Sequence, residues 1–486
     1  MKKKSVKLNI IFNMLRVCCG ILFPLISFPY AAHILGVENI GKIQFCNSVV
    51  NYFILFAGLG INIYAAREGV RYRDNKDKLS KFAKEIISIS FISTTISYLC
   101  LLLIIRMAYF KEYEILLLIC STTIALTTFN LEWLYQIIEE FKYITLRTVS
   151  IQILSFTLLI CFVRDKNDYV IYAVISALAV GGNCFVNIYH SRKIINWRKK
   201  YIYDVKRHFY SILTIFSVSL STSIYLSLDT VMIGVIRNDV EVGLYSAAVK
   251  FNSVVKTIIT SISTVLLSRL SYYVIRNKND LYENLLRRGA NVILALVIPS
   301  CLGIILLNQE ILFLFCGTEF LSASFACIVL SINMIFSVID GMLYNQVCLP
   351  HGLEKNASKA TVLGALANLM LNIFFIDRWG FNGAAVTTLV SEFIVFIVLI
   401  FCVKNTIDLK YIFGKAYRYI FASGVMFLLI YPLKLLDISE ISHIILTAMI
   451  GVIIYGLCLY LQKDELVIEM IKSMSKSVFE KINKLD

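Results

Sequence analysis

The sequence predicts an all-α integral membrane protein with about fourteen transmembrane helices. Two observations carry this prediction. First, 58% of the 486 residues are hydrophobic and 16% are charged, whereas soluble domains carry about 25% charged residues. Second, the apolar stretches are long enough to cross a bilayer, and most of the 47 Lys and Arg residues fall in the terminal tails and in every second gap between the stretches.

The alternation of basic and non-basic gaps also predicts the orientation. Short basic loops stay cytoplasmic during insertion, so we expect both termini inside. The first apolar run has no small-residue cleavage site, which favours a retained first helix over a signal peptide. The predicted spans, in order, cover residues 8–34, 43–66, 82–106, 114–137, 146–163, 168–190, 210–236, 244–267, 289–307, 321–349, 359–377, 382–403, 416–436 and 440–462.

The spans are expected to form two lobes of six helices with a parallel pseudo-repeat, followed by two additional helices. The basic gap from Arg192 to Arg207 follows the sixth span, where a linker between lobes would fall. A weak repeat supports this division, since Gly41 precedes the string CNSVV and Gly243 precedes FNSVV. The predicted regions are an N-terminal lobe over 1–200, a C-terminal lobe over 201–409, and two helices with a cytoplasmic tail over 410–486.

Several other functions are not supported by the composition. The net charge of +15 is explained by cytoplasmic loops that face anionic lipid, so we expect no nucleic-acid partner. The 13 cysteines lie almost entirely in apolar stretches without a CxxC or Cys/His cluster, which predicts reduced thiols and no metal site. The five histidines pair with no nucleophile, and no GxxxxGK[ST] loop occurs, so we expect no catalytic residues and no cofactor.

Charged residues inside the spans are the candidate functional residues, because a charge in the hydrocarbon costs about 2.5–3.5 kcal/mol on insertion scales. Arg16 and Glu132 lie at similar depths from the cytoplasmic side, and Asp229 and Lys250 lie at similar depths from the outer side. Each set permits an ion pair that holds helices together, and a role in substrate binding is equally open. The full set of candidates is Arg16, Glu132, Asp229, Lys250, Lys256, Asp340 and Glu392.

The remaining three candidates lie deeper in the predicted bilayer. Lys256 is near the middle of its span and has no acid at its depth in the neighbouring span, which favours an anion-binding role. Asp340 and Glu392 are acids that burial would make able to take up protons, so they are candidates for ion coupling. Hydrogen bonding to Asn345 and Ser391 is the alternative explanation for the two acids.

Six short motifs follow one another along the chain: FAGLGINIYAARE at 56–68, EEFKYITLRT at 139–148, DTVMIG at 229–234, VGLYSAA at 242–248, NQVCLP at 345–350 and GFNGAA at 380–385. In combination they resemble the polysaccharide-exporter family, the Wzx-type O-antigen and repeat-unit flippases of the MATE/MurJ-like (MOP) superfamily. The resemblance implies an alternating-access transporter of the bacterial cytoplasmic membrane and not an enzyme.

The resemblance also implies a substrate and partners. The substrate would be an undecaprenyl-diphosphate-linked oligosaccharide, moved to the outer leaflet for O-antigen, capsular or other surface polysaccharide. Arg16, Lys250 and Lys256 are the candidates for binding its diphosphate. Membrane lipids, a polysaccharide polymerase and a chain-length regulator would be the further partners.

Two alternative functions remain. A MATE-like exporter of drugs or organic cations would need unpaired acids in its cavity, and the central Lys256 counts against it. A membrane glycan polymerase or ligase would be expected to carry a sizeable outer loop with basic residues. The longest outer gap, over 308–320, contains no Lys or Arg.

Overall fold

The computed structural model describes residues 6–435 and 439–469 of the chain. The first lysines of the N-terminal tail and most of the predicted C-terminal tail lie outside the described residues. Within the described part the chain is all-helical, which confirms the predicted fold class. The α-helices are α1 (Val6–Gly58), α2 (Ile61–Gly69), α3 (Lys76–Ile105), α4 (Glu114–Thr127), α5 (Glu132–Ile137), α6 (Phe141–Phe162), α7 (Tyr169–Ser191), α8 (Lys206–Ile236), α9 (Asp239–Ile275), α10 (Asn279–Cys316), α11 (Ser324–Leu343), α12 (Glu354–Val403), α13 (Leu409–Phe413), α14 (Ala416–Ile430) and α15 (Glu440–Leu461).

Eleven helical segments within the described residues are long and apolar enough to cross a membrane. Two of them carry two predicted spans each, separated by a break in helical geometry. In α1 the break is at Gly36, with φ 76° and ψ 173°. In α12 it is at Gly380, with φ 57° and ψ −141°. The number of fourteen membrane crossings stays a prediction.

Two predicted regions differ in detail from the structure. The span predicted over 114–137 lies within one apolar segment long enough to cross a membrane, Ala108–Ile137, but this segment contains a turn, since α4 ends at Thr127 and α5 begins at Glu132. The polar residues Thr128 and Asn130 lie in the turn between them. The gap predicted over 308–320 is largely helical, because α10 continues to Cys316. The apolar run after Asn308 extends the helix, and Leu312 within it is fully buried.

The chain divides into two compact units, which we call the first unit (1–246) and the second unit (247–486). This division lies within α9, whereas the sequence suggested a lobe boundary between 200 and 201. The difference arises because α8 packs against α1 and α2 and therefore clusters with the first unit. The predicted lobes, which follow the repeat and not the contacts, stay a prediction.

Each unit has its own core. In the first unit, buried aromatic side chains from α3 and α5 pack together, among them Phe82, Trp133 and Tyr135. Burial of such side chains is a major stabilising contribution, at about 1.5–3 kcal/mol for a Phe. In the second unit, α10 packs against α11, and α11 packs against α12. The last two long helices, α14 and α15, pack against α10, with Leu306 and Met426 at the contact.

Candidate functional site

Arg16 and Glu132 meet within the first unit. Arg16 lies on α1, and Glu132 is the first residue of α5. One terminal nitrogen of the Arg16 guanidinium, Nη1, donates a hydrogen bond to Glu132 Oε1. Gln136, one turn further along α5, donates a hydrogen bond of 3.4 Å from its Nε2 to the same oxygen. The ion pair that the depths and signs of the two residues permitted is therefore present.

A second arginine, Arg147 on α6, approaches the other oxygen of the same carboxylate. Its Nη2 lies 3.6 Å from Glu132 Oε2. Its Nε donates to Asn183 Oδ1 at 2.9 Å, and its Nη1 donates to Asn187 Oδ1. Both asparagines lie on α7. We call these five residues (Arg16, Glu132, Arg147, Asn183 and Asn187) the Glu132 cluster.

The Glu132 cluster has an excess of positive charge. Two guanidinium groups share one carboxylate, and the asparagines are neutral, so the formal charge of the cluster is positive. The two arginines differ in accessibility, since the Arg147 side chain is 3% exposed and the Arg16 side chain is 27% exposed. The accessible cation is therefore Arg16, at the edge of the cluster. Such an arrangement can bind an anion, because charge-assisted hydrogen bonds from Arg are among the strongest in proteins.

Sequence reasoning missed Arg147. It is the second residue of the predicted span 146–163, and at the edge of that span it was not included among the candidate charges. The available signal is its position inside the predicted span 146–163, where a charge is costly.

In the second unit, Lys256 and Glu392 both lie near Asp340. Lys256 Nζ on α9 donates a hydrogen bond to Ser337 Oγ on α11. Asp340 lies one turn further along α11. Glu392 on α12 and Lys256 are near enough to Asp340 to interact with it electrostatically. An acid near Lys256 was not predicted from the neighbouring spans, because Asp340 lies on a helix that is more distant in the chain.

Asp340 is unusually poor in polar contacts. The residue is 6% exposed, and neither carboxylate oxygen has a hydrogen-bond partner among the described residues. The asparagine expected to bond to it, Asn345, donates instead to the Gly341 carbonyl at 2.8 Å. Ser391, expected beside Glu392, donates to the Thr387 carbonyl at 2.7 Å. A buried acid without a donor is suited to binding a proton or a cation.

Asp229 and Lys250 are the two remaining candidates from the sequence. Asp229 on α8 is buried and accepts a hydrogen bond of 2.6 Å from the Tyr245 hydroxyl. Tyr245 belongs to the motif VGLYSAA. Lys250 is half-buried. An ion pair between Asp229 and Lys250 stays a prediction.

A further buried charge network lies at the start of α3. Glu85 is fully buried and contacts Arg207 Nη2 at 2.7 Å and His208 Nε2 at 3.1 Å. The other ring nitrogen of His208 lies 2.6 Å from the Tyr64 hydroxyl. The neighbouring Lys84 donates to two carbonyls of the segment before α8, those of Trp197 at 2.9 Å and Lys199 at 2.7 Å. This network fastens the long basic segment and the first turn of α8 to α3.

The chain matches two families of known proteins. Residues 6–273 match the family described as Polysaccharide biosynthesis protein. The chain belongs to this polysaccharide biosynthesis protein family. Residues 157–474 also match the family described as Lipid II flippase MurJ. The family resemblance predicted from the motifs is thereby confirmed.

Individual relatives agree with the family assignment. A protein of Escherichia coli (strain K12) named as an O-antigen transporter is 24% identical over 408 residues, which cover 83% of this chain and 98% of the relative. The solved structure of the lipid II flippase MurJ in an inward closed conformation aligns with a TM-score of 0.75 and 20% identity, over 94% of this chain and all of that one. A multidrug resistance MATE transporter of the MOP superfamily, in an inward-facing conformation, aligns with a TM-score of 0.64 and 13% identity, over 81% of this chain and 97% of that one.

These likenesses assign the fold of this polysaccharide biosynthesis family member to the group that contains MurJ and MATE transporters. Its relatives are named as transporters and flippases, in agreement with the prediction of a multi-pass membrane transporter and not an enzyme.

Proposed function

We propose that this protein is a flippase that moves undecaprenyl-diphosphate-linked oligosaccharide repeat units from the inner to the outer leaflet of the cytoplasmic membrane. The units would serve the synthesis of O-antigen, capsule or another surface polysaccharide. The family assignment and the names of the relatives, an O-antigen transporter and a lipid II flippase, support a substrate of this kind.

The observation that carries the proposal is the excess of positive charge in the Glu132 cluster, inside predicted spans of the first unit. Arg16 shares a single carboxylate with Arg147, and Lys256 donates to a hydroxyl. A diphosphate that crosses a bilayer needs compensating cations along its route, because an unpaired anion in hydrocarbon is costly. We assign Arg16, Lys250 and Lys256 to binding of the diphosphate, and we place both termini in the cytoplasm.

Asp340 and Glu392 are proposed to couple transport to an ion gradient. Asp340 is buried without a hydrogen-bond donor among the described residues, and Lys256 acts on it electrostatically. When a substrate phosphate binds Lys256, it neutralises the positive charge of this lysine near Asp340. The uptake of a proton or another cation by Asp340 then becomes more favourable. In this way Lys256, which binds the substrate, is coupled to Asp340, which binds the ion. A polysaccharide polymerase and a chain-length regulator are the partners expected to receive the flipped units.

One observation favours a second candidate function. A buried acid such as Asp340 is what a MATE-like exporter of organic cations would use, and a MATE transporter shares the fold. The two functions differ in the sign of the charge that they carry. Dye efflux therefore serves as the competing readout in the experiment below.

The test is deletion of the gene in its host, followed by complementation. For a flippase, we expect loss of surface glycan and accumulation of lipid-linked single repeat units on the inner leaflet, with both restored by the wild-type gene. Increased sensitivity to cationic dyes with normal surface glycan would instead identify an exporter. Unchanged glycan and unchanged dye sensitivity would contradict both functions.

A further inference from the structure

We propose that Arg147 is a positioning residue that balances the charge of Glu132, so that Arg16 is free to exchange this carboxylate for a phosphate of the substrate. The proposal rests on the function proposed above, since it requires an anionic substrate. It adds a residue and a charge-exchange step to that function. Glu132 then acts as an internal substitute for the phosphate, occupying Arg16 when no substrate is bound.

The contacts of Arg147 fix it in place. Its guanidinium is held from three sides, by Asn183, Asn187 and Glu132, and its Nη2 also lies 3.4 Å from Thr148 Oγ1. The centre of the guanidinium lies 5.7 Å from the centroid of the Tyr143 ring. With its side chain 3% exposed, Arg147 is sealed from any ligand.

Arg16 is held much more loosely. Its contact with Glu132 uses one terminal nitrogen, and its Nε is buried without a hydrogen-bond partner among the described residues. The side chain is 27% exposed, and that of Glu132 is 28% exposed. A guanidinium with unused donors at an accessible edge is able to turn toward an arriving anion, and it would gain hydrogen bonds by doing so.

The charge count explains why both arginines are needed. When a phosphate takes Arg16, Glu132 keeps Arg147 as its partner and no carboxylate is stranded. Without Arg147, the same exchange would leave Glu132 as an unpaired charge in a partly buried site, and this opposes the exchange. Arg147 therefore promotes anion binding from a position where it never touches the anion.

A purely structural role is the competing explanation, because Arg147 also joins α6 to α7 through the two asparagines. The two explanations differ in a double mutant. If Arg147 acts by balancing Glu132, removal of the acid makes the balancing cation unnecessary, and Arg147→Met combined with Glu132→Gln is functional. If Arg147 acts by joining helices, the double mutant is as impaired as Arg147→Met alone.

The experiment uses the full-length protein in nanodiscs of fixed lipid composition and measures binding of undecaprenyl diphosphate. We expect Arg147→Met to weaken binding about tenfold, and the double mutant to return to within about threefold of wild type, as for directly coupled residues. Glu132→Gln alone should bind about threefold more tightly than wild type, because Arg16 then has no internal competitor. Lys78→Ala, at an exposed position in the first turn of α3, is the control for general charge effects.

Arg147→Lys is a second test that applies if Arg147→Met does not accumulate in the membrane. Arg147→Lys keeps the charge but loses most of the hydrogen bonds, and it should retain binding within about threefold of wild type. Binding that Glu132→Gln weakens, or a double mutant no better than Arg147→Met, would overturn the proposal. Absence of undecaprenyl diphosphate binding by the wild-type protein would instead overturn the proposed function itself.

Discussion

Gly41 and Gly243 lie at a crossing of α1 and α9 that leaves no room for a side chain. A Cβ atom added to Gly41 would lie 1.7 Å from the Asp239 carbonyl oxygen, and one added to Gly243 would lie 2.2 Å from the Val37 carbonyl oxygen. The contact is reciprocal, because each glycine faces a residue four positions before the other glycine. Gly41 faces Asp239, and Gly243 faces Val37. These are the two glycines that precede the repeated strings CNSVV and FNSVV in the sequence.

We predict that Gly41→Ala and Gly243→Ala each lower the free energy of unfolding by about 1–3 kcal/mol or more. The added methyl group would collide with the backbone of the facing helix. Thermal unfolding of the detergent-solubilised protein measures this. Gly20→Ala in α1 is the matched control, because nothing lies within 4 Å of its added Cβ. Removing a helical glycine there should be neutral or slightly stabilising. Equal melting temperatures for all three variants would show that the helices do not cross at this distance.

Lys256→Ala should reduce surface glycan about tenfold at matched expression, the change expected when roughly 1.4 kcal/mol of substrate binding is lost. Lys256→Arg keeps the positive charge and should retain part of the activity. Ser337→Ala removes the hydroxyl that Lys256 contacts but leaves the cation, so its effect should be smaller. Wild-type glycan levels for Lys256→Ala would remove this residue from the transport mechanism.

Asp340→Asn should make transport insensitive to the driving ion. The substitution mimics a permanently protonated acid, so the substrate would still bind, but the gradient could no longer act through this position. Flipping is measured with and without an ionophore that collapses the gradient of the ion in question. Asp280→Asn, on an exposed part of the second unit, is the control. A mutant that responds to the ionophore as fully as wild type would show that Asp340 is not the coupling acid.

Glu85→Ala should destabilise the first unit by about 3–5 kcal/mol, because it leaves buried partners of a charge network uncompensated. The predicted consequence is release of the segment before α8, detected as faster proteolysis between α7 and α8. Asp77→Ala is the matched control, since it removes an exposed ion pair of 2.9 Å with Lys199 on the same segment. The Lys199 ammonium donates a hydrogen bond to the Asp77 carboxylate, and this bond raises the pKa of the lysine. Exposed pairs of this kind contribute little, so the control should melt like wild type. Equal proteolysis of the two variants would contradict a fastening role for Glu85.

The sequence predicted the parts of this protein that depend on one helix or on two helices of similar depth. Hydropathy and loop charge predicted the membrane helices. The depths and opposite charges of Arg16 and Glu132 permitted the ion pair that these two residues form. Both follow from the bilayer, which imposes one coordinate on every span.

What the sequence did not predict depends on packing between distant segments. Arg147 lies near a span boundary and looked like a loop cation until α6 and α7 were placed together. Asp340 approaches Lys256 from a helix that is not its neighbour in the chain. The turn before Glu132 was missed because its polar residues are few and lie within an otherwise apolar stretch.

The most direct test of the central claim, that intramembrane cations carry a diphosphate headgroup across the bilayer, is a flipping assay with purified protein. Proteoliposomes would contain a fluorescent undecaprenyl-diphosphate-linked saccharide, and an impermeant quencher would report its exposure on the outer leaflet. We predict that wild-type protein exchanges the lipid between leaflets, and that Arg16→Gln combined with Lys256→Ala slows this exchange by at least about tenfold. Exchange by the double mutant at the wild-type rate, or wild-type proteoliposomes no faster than empty ones, would contradict the account.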